Sequence, residues 1–494
     1  MAQQPSSSSS QPEPPLSNLI RLAPLHITDL PYHPDLPGSG TGTNPHTSTA
    51  NSQPGTPKPC DLAPDPEYRS QYLSTFLTQL LSDGRAFLSP STFSRRFKHH
   101  SSKKSPPAAS PVEVLDWSVP ASTLHKVQRS SSAPAQKVSS STPTSSNAKG
   151  APSIPVSRLT PPSSTLDPEY WVARRSIHRD ISSKSTTQPG HASWAEFVFG
   201  LRDNHSKNEC EFTPGLYDAR CVVDWSVGDS ESEESREAKA MVMIEGRVDG
   251  GVEEEGEGEG RKCKLKYENC SMGIYEMCHA IPPPLRPRCF CVLVVTGSVV
   301  KNRNKNKNRT DGVGVGVGSN GEAGKDTDAD GDDDDDDCFV AVTVPVDLTT
   351  TVSASGVGPG PGASFPPNAF YSSGRNVREG STPQQRKRVV MGVYAAVEMV
   401  TRRRGRRHDA ERGGEGTSAG EHGGEGESEG KGDGDGDGQI AWVMATTSDA
   451  KGILPGWLQR MSVPAAVAKD VGYFIKWIRG VDDARIKEQI GDRV

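Results

Sequence analysis

Apolar side chains are scarce in this chain of 494 residues: 33% are hydrophobic and 6% aromatic, while Gly (50) and Pro (40) are abundant. Such a chain cannot bury enough surface to order its whole length. One sizeable core is therefore expected, with long segments outside it. No run approaches the roughly 20 apolar residues of a membrane-spanning helix. The longest, Cys289–Val295, suits a buried strand. The opening MAQQPSSSSS lacks the basic-then-apolar pattern of a secretion signal. The nine cysteines follow no framework spacing, so reduced, buried thiols are expected in a cytoplasmic protein. Net charge is only −6, from 56 basic and 62 acidic residues, which gives a nucleic-acid partner no support.

Composition divides the chain. Residues 1–60 read as a disordered tail, and 94–165 as a Ser/Pro/Lys-rich linker with one extended piece at Val112–Val119. Between them, in 61–93, Asp65 caps a helix with Pro66 at its first position. Its apolar residues Tyr68, Tyr72, Phe76, Leu77, Leu80 and Leu81 recur at helical spacing, and Gly84 ends it. A domain is expected over 166–480, followed by a charged tail, 481–494. Ser193 and Glu196 form a capping box ahead of a short helix. Strands are expected at Trp171–Ile177, Tyr217–Trp225, Ala240–Val248, Cys263–Tyr267, Gly273–His279, Cys289–Thr296, Cys338–Val346, Val389–Val400 and Gln439–Ala445. Low-complexity insertions at 250–260, 301–337, 350–385 and 402–438 are read as expanded loops, because loop entropy grows slowly with length. Without them the domain keeps about 200–220 residues, an ordinary size. The last element, from Leu454 to Ile478, is a helix restarted at Pro464. The pattern is α+β, with a curved antiparallel sheet around a long C-terminal helix.

The segment Ser448-Asp449-Ala450-Lys451-Gly452-Ile453-Leu454-Pro455-Gly456-Trp457-Leu458, after strand Gln439–Ala445, resembles the last strand, turn and lid helix of START (StAR-related lipid transfer) domains. Pro287-Arg288-Cys289-Phe290 is similar to that family's strand entry, with Cys289 where an acidic residue is usual. The segments SWAEF, LRPRCF and LPGWLQRMSVPAAVAKDV are similar to an uncharacterised fungal START-like family. The resemblance implies a helix-grip fold. It also implies binding, and often transfer, of a sterol, phospholipid or other lipid in a deep cavity, without catalysis and without a cofactor.

Lipid binding needs an apolar wall with few polar anchors. Trp442 and Met444 share one face of their strand. Met391, Val393, Ala395, Val397 and Met399 share one face of the strand before it. On the helix, Leu458, Met461, Val467, Val471 and Phe474 are the residues expected to face inward. Arg288 is a candidate anchor for a lipid headgroup, and Gly452 and Gly456 are candidate hinges for a lid. A solid core would use the same apolar stripes. An interaction scaffold and an enzyme on the same fold, a cyclase or hydrolase, thus remain alternatives.

Other motifs carry less. Gly316–Gly321 matches a dinucleotide loop but lacks the following helix. Asp326–Asp337 lacks the Glu and the flanking helices of a calcium loop. Cys278, His279, Cys289 and Cys291 lack the spacing of a metal site. The basic runs Lys301–Arg309 and Arg402–Arg407 suit anionic membrane headgroups, nuclear import or plain solvation. Arg129-Ser130-Ser131-Ser132-Ala133-Pro134 fits a phosphoserine motif for an adaptor protein, with Ser132 as the modified residue.

Overall fold

The computed structural model describes residues 17–36, 39, 66–125, 168–225, 244–245, 266–300, 336–349, 364–403, 438–451 and 456–491. Ser132, Gly452 and most of the low-complexity insertions lie outside them.

The chain first lays down β1 (Leu25–His26), then helices α1 (Pro66–Phe87) and α2 (Pro90–Arg96). Strands β2 (Lys98–Lys103), β3 (Val112–Val119) and β4 (Glu169–Arg179) follow, then α3 (Trp194–Phe197) and α4 (His205–Phe212). Next come β5 (Leu216–Asp224), β6 (Ile244–Glu245), β7 (Lys266–His279), β8 (Arg288–Val299) and β9 (Asp337–Asp347). The last elements are α5 (Asn376–Glu379), β10 (Val390–Arg403), β11 (Gln439–Asp449), α6 (Gly456–Ile478) and α7 (Asp483–Ile490). The sheet runs β2-β3-β4-β11-β10-β9-β8-β7-β5, and the neighbours along this path are antiparallel. The fold is α+β, a sheet buried on both faces.

Helix α1 covers one face. Its Phe76, Leu80 and Leu81 meet Val340, Val342, Leu293, Val295, Ala395 and Val397 from β8, β9 and β10. The residues 17–36 join them, with Leu19, Ile20, Leu25, Ile27, Leu30 and Leu36 buried, and β1 pairs in parallel with β9. A core-forming piece thus sits inside the expected tail of 1–60. Likewise β2 and β3 occupy 98–119 of the expected linker, and α7 occupies much of the expected charged tail. In each case a few apolar residues among polar ones suffice to dock the segment, such as Val112, Val114, Leu115 and Val119 of β3.

The other face meets α6, which rests on β3, β4 and α4. Pro464 lies within a continuous α6 and does not restart it. The expected strands Cys263–Tyr267 and Gly273–His279 are one strand, β7, which carries a bulge where Asn269 adopts φ 51°. The Ser193–Glu196 capping box is present.

Gly84 does not end α1; it lies within the helix where α1 comes closest to the sheet. A Cβ there would stand 2.6 Å from Val342 Cγ2 and 3.2 Å from Val340 Cγ1. Gly84→Val is expected to destabilise the protein by about 1–3 kcal/mol through overpacking. Urea denaturation monitored by circular dichroism measures this, and an unchanged midpoint would mean that α1 sits looser on the sheet.

Candidate functional site

Strand pleating fixes which residues face α6. Arg174 of β4 pairs with Met444 of β11, Met444 with Glu398 of β10, and Glu398 with Ala341 of β9. In the adjoining row Val172, Thr446, Ala396, Thr343 and Val294 run side by side from β4 to β8. Both rows face α6. Residues one position away in sequence face α1.

The two faces differ in how their apolar residues connect. Facing α1, Val340, Val342, Ala395, Val397 and Met399 belong to one continuous cluster. Facing α6, Phe339, Val400, Trp442 and Met444 are buried, while Tyr394 is half-buried. Two separate apolar clusters flank these residues. One contains Phe197, Trp442, Val467, Val471 and Phe474. The other is built on Leu216, Met277, Val292 and Val294, with Phe290 and Tyr394 partly exposed beside it. Asp470 of α6 and Glu209 of α4 retain accessible surface, with 30% of the Glu209 side chain exposed. Yet burial is the largest influence on both carboxyls. It raises Glu209 to about 7, against an opposing effect of His205, and Asp470 to about 6, against Arg174. Both carboxyls are thus crowded by protein while part of their surface stays accessible.

Polar groups from five elements, β4, β10, β11, α4 and α6, gather on this side of the sheet. Arg174 Nη2 donates to Glu398 Oε1 at 3.0 Å, and Trp442 Nε1 donates to the same oxygen at 2.7 Å. The Arg174 guanidinium lies 3.8 Å from the Trp442 ring centroid. Trp442 is locked in turn by Phe197 and Phe474, with ring centroids 5.5 and 5.2 Å away. His205 Nε2 is 3.9 Å from Glu209 Oε2. Burial also raises the Tyr394 hydroxyl, which is hydrogen-bonded to Thr446. Glu398 and Asp470 lie close enough for each to disfavour ionisation of Glu209.

The expected site residues divide. Trp442, Met444, Val467, Val471 and Phe474 come together in one buried apolar cluster on the α6 side of the sheet. Val397 does not: it faces α1, because the apolar parity of β10 packs on α1 and the parity carrying Glu398 faces α6. Val393 shares the parity of Val397 and is only half-buried, while Met391 is 37% exposed. Met461 is 70% exposed on the outer side of α6. Gly456 and Leu458 belong to the first turn of α6, where side chains lie outside the description. Arg288 is buried and its donors are taken by backbone carbonyls. Its Nε donates to Ala450 O at 2.7 Å and its Nη2 to Lys451 O at 3.4 Å, so it ties β8 to the turn before α6. Of the basic run at 402–407, Arg402 and Arg403 pair with Asp180 (2.6 Å) and Asp336 (3.3 Å). Cys278 and Cys289 are opposed across β7 and β8 and fully buried. No cluster able to hold a metal occurs among the described residues.

The sequence reading missed Arg174, Glu209, Tyr394, Glu398 and Asp470. The available signal was a charge interrupting an apolar run: Glu398 within VYAAVEMV, and Asp470 inside the helical stripe of Val467, Val471 and Phe474.

The family described as "Protein of unknown function (DUF3074)" matches residues 171–478. The chain belongs to this family. The match runs from Trp171 on β4 to the end of α6, so every polar group named above lies within the DUF3074 span. No curated protein matches the sequence. Among solved structures, the chain is similar to human STARD10 at 9% identity and a TM-score of 0.31, covering 86% of this chain and 84% of that one. It is also similar to the human StarD13 (DLC2) lipid transfer and protein localization domain, at 8% identity and 0.28, covering 78% and 91%. Among the described residues no helix is long and apolar enough to cross a membrane.

Glu209 and Asp470 hold protons more tightly in the folded chain than at their ordinary values of 4.5 and 3.8. Between those values and about 7 the folded state binds more protons than the unfolded one, so this pair makes stability fall as pH rises across that window. The double variant Glu209→Gln/Asp470→Asn is therefore expected to gain stability over the parent at pH 7.5 relative to pH 5. Urea midpoints of both proteins at the two pH values test this, and parallel pH trends would place the carboxyls in bulk solvent.

Proposed function

We propose that the chain binds a hydrophobic ligand, a lipid of sterol or phospholipid size, between the sheet and α6, and carries it through water without chemical change. The observation that supports this is the break on the α6 side, where two apolar clusters are separate and Tyr394, Phe290, Glu209 and Asp470 keep accessible surface, against one continuous cluster on the α1 side. Each CH₂ that such a space removes from water contributes about 0.8 kcal/mol, so one acyl chain suffices for firm retention. Met444 and Val467 border the space, and Met adapts to irregular shapes.

Entry requires α6 to move. Arg288 holds the carbonyls of Ala450 and Lys451, so motion begins after Lys451, with Gly452 and Gly456 as the hinge residues. Loop contact with anionic membranes would bring the lid to its lipid source.

Paired substitutions on adjacent positions of β10 test the reading. Ala396→Phe points into the space. It is expected to leave stability within about 1 kcal/mol of the parent, since no filled core is overpacked. It is also expected to abolish the lipid adduct seen by native mass spectrometry of the purified full chain. Ala395→Phe points at α1 and is expected to cost about 1–3 kcal/mol or more. Equal destabilisation by both would mean that both faces are solid, and would favour the scaffold reading.

A further inference from the structure

Positive charge without acidic partners collects along one side of α6. From Gly84 to Val112 the chain carries six Lys and Arg residues and no Asp or Glu. Within this stretch lies β2, the terminal strand of the sheet, paired with β3. That pairing sets its orientation. Lys98 lies opposite Asp116, and Lys103 opposite Val112. Val112, Val114 and Asp116 alternate onto one face of β3, and the two valines pack in the cluster that contains Val467 and Val471. Lys98 and Lys103 therefore stand on the α6 side of the sheet.

The turn after β2 is seated on α6. Ser105 Oγ accepts from Gly472 N at 2.9 Å and donates to Lys469 O at 3.3 Å. A Cβ at Gly472 would stand 2.6 Å from the carbonyl oxygens of Ser105 and Pro106. Met461, Ala465 and Lys469 recur at i, i+4 and i+8 on the side of α6 that leads to Gly472. All three are exposed, Met461 by 70%. Asp470, the acid of α6, follows Met461 by nine residues and so falls on the opposite side of the helix. Arg460 borders the strip, its guanidinium 5.5 Å from the Tyr170 ring centroid. The acid nearby, Asp116, is already engaged: Tyr170 donates to it at 3.1 Å, and His100 Nδ1 lies 3.5 Å from the same carboxylate. Among the described residues Lys98, Lys103, Lys104 and Lys469 enter no ion pair.

Lysines on an edge strand discourage pairing with a second sheet, and that accounts for β2 alone. It does not account for cations and an exposed Met on the neighbouring helix. Cations around an exposed apolar side chain match a surface of anionic headgroups over hydrocarbon. Resting on the reading that α6 covers a lipid, we propose that this strip, made of β2, the turn after it and the adjoining side of α6, docks on the anionic face of a bilayer. The lysines meet the headgroup charges, and Met461 enters the acyl boundary. The basic run after β10 is less available, because Arg402 and Arg403 already pair with Asp180 and Asp336. Docking here sets the membrane against the helix that moves for lipid entry.

Sedimentation of the full-length protein with vesicles tests this, one set of pure phosphatidylcholine and one with roughly a third phosphatidylserine. Binding is expected to the anionic set at about 0.1 M salt and to fade at about 1 M, where the screening length falls to about 3 Å. Lys98→Gln/Lys103→Gln/Lys104→Gln is expected to weaken binding about a hundredfold, since each basic residue near an anionic surface contributes about 1 kcal/mol. Met461→Asp is expected to weaken it as well, and Arg404→Gln/Arg406→Gln/Arg407→Gln to leave it unchanged. The lysine variant is expected to keep the parent's urea midpoint and its lipid adduct in native mass spectrometry. Equal binding to both vesicle sets, or undiminished binding by the lysine variant, overturns the docking surface. So does capture of poly-glutamate but not of anionic vesicles, which assigns the strip to an acidic protein partner. A lipid adduct retained in any of these cases leaves the lipid reading standing. Absence of an adduct from the parent, with vesicle binding intact, overturns the lipid reading and keeps the docking surface.

Discussion

A sheet of long strands that is apolar on both faces must be covered on both, and what covers each face decides what the molecule can do. Here the covers are unlike. Helix α1 lies directly on β8, β9 and β10, close enough that position 84 admits only glycine without displacement of Val342. Helix α6 rests on β3, β4 and α4. The first face carries one continuous apolar cluster, on which the fold rests. The second is divided between two clusters, with half-buried Tyr394 and Phe290 beside the smaller one.

The charges on that second face would be a poor choice for stability alone. A buried Arg–carboxylate pair gains little over well-packed apolar residues of similar size, because both ions are stripped of water. The pair formed by Arg174 and Glu398 is nonetheless built with care. It reaches across β11, shares Glu398 Oε1 with the Trp442 indole, and stacks its guanidinium on the same ring. The aromatic group Phe197, Trp442 and Phe474 fixes the geometry from behind. Such rigidity suits a group that must present fixed polar atoms to a partner more than one that merely fills a core.

Much of this frame is legible in the sequence. The alternating or continuous apolar runs mark β4, β5, β8, β9, β10 and β11 within a few residues, and the Ser193–Glu196 pair marks a helix start. The segment 17–36 and strand β2 are not legible. Their local composition is that of a polar tail, and they are ordered by tertiary contact with α1 and β3. The site is legible only by half. A hydrophobic pattern identifies two buried faces of β10 but not which of them meets which helix. The more apolar parity, with Ala395 and Val397, suggests a lipid wall and in fact packs with α1. The parity broken by Glu398 faces α6. A charge inside an apolar run is thus the better pointer here, since a buried charge persists only where partners are arranged for it.

The placement of the acids ties this side of the sheet to the helix that covers it. Arg174 and Glu398 belong to the sheet, Glu209 to α4, and Asp470 to α6, so their mutual distances depend on how α6 is seated. Burial raises both Glu209 and Asp470, Glu398 adds to the rise at each, and Arg174 opposes it at both. Docking α6 on this face thus carries an electrostatic cost that one guanidinium offsets only in part. The apolar cluster of Val467, Val471 and Phe474 with Trp442 and Phe197 must outweigh that cost, which is why the aromatic contacts gather beside the charges.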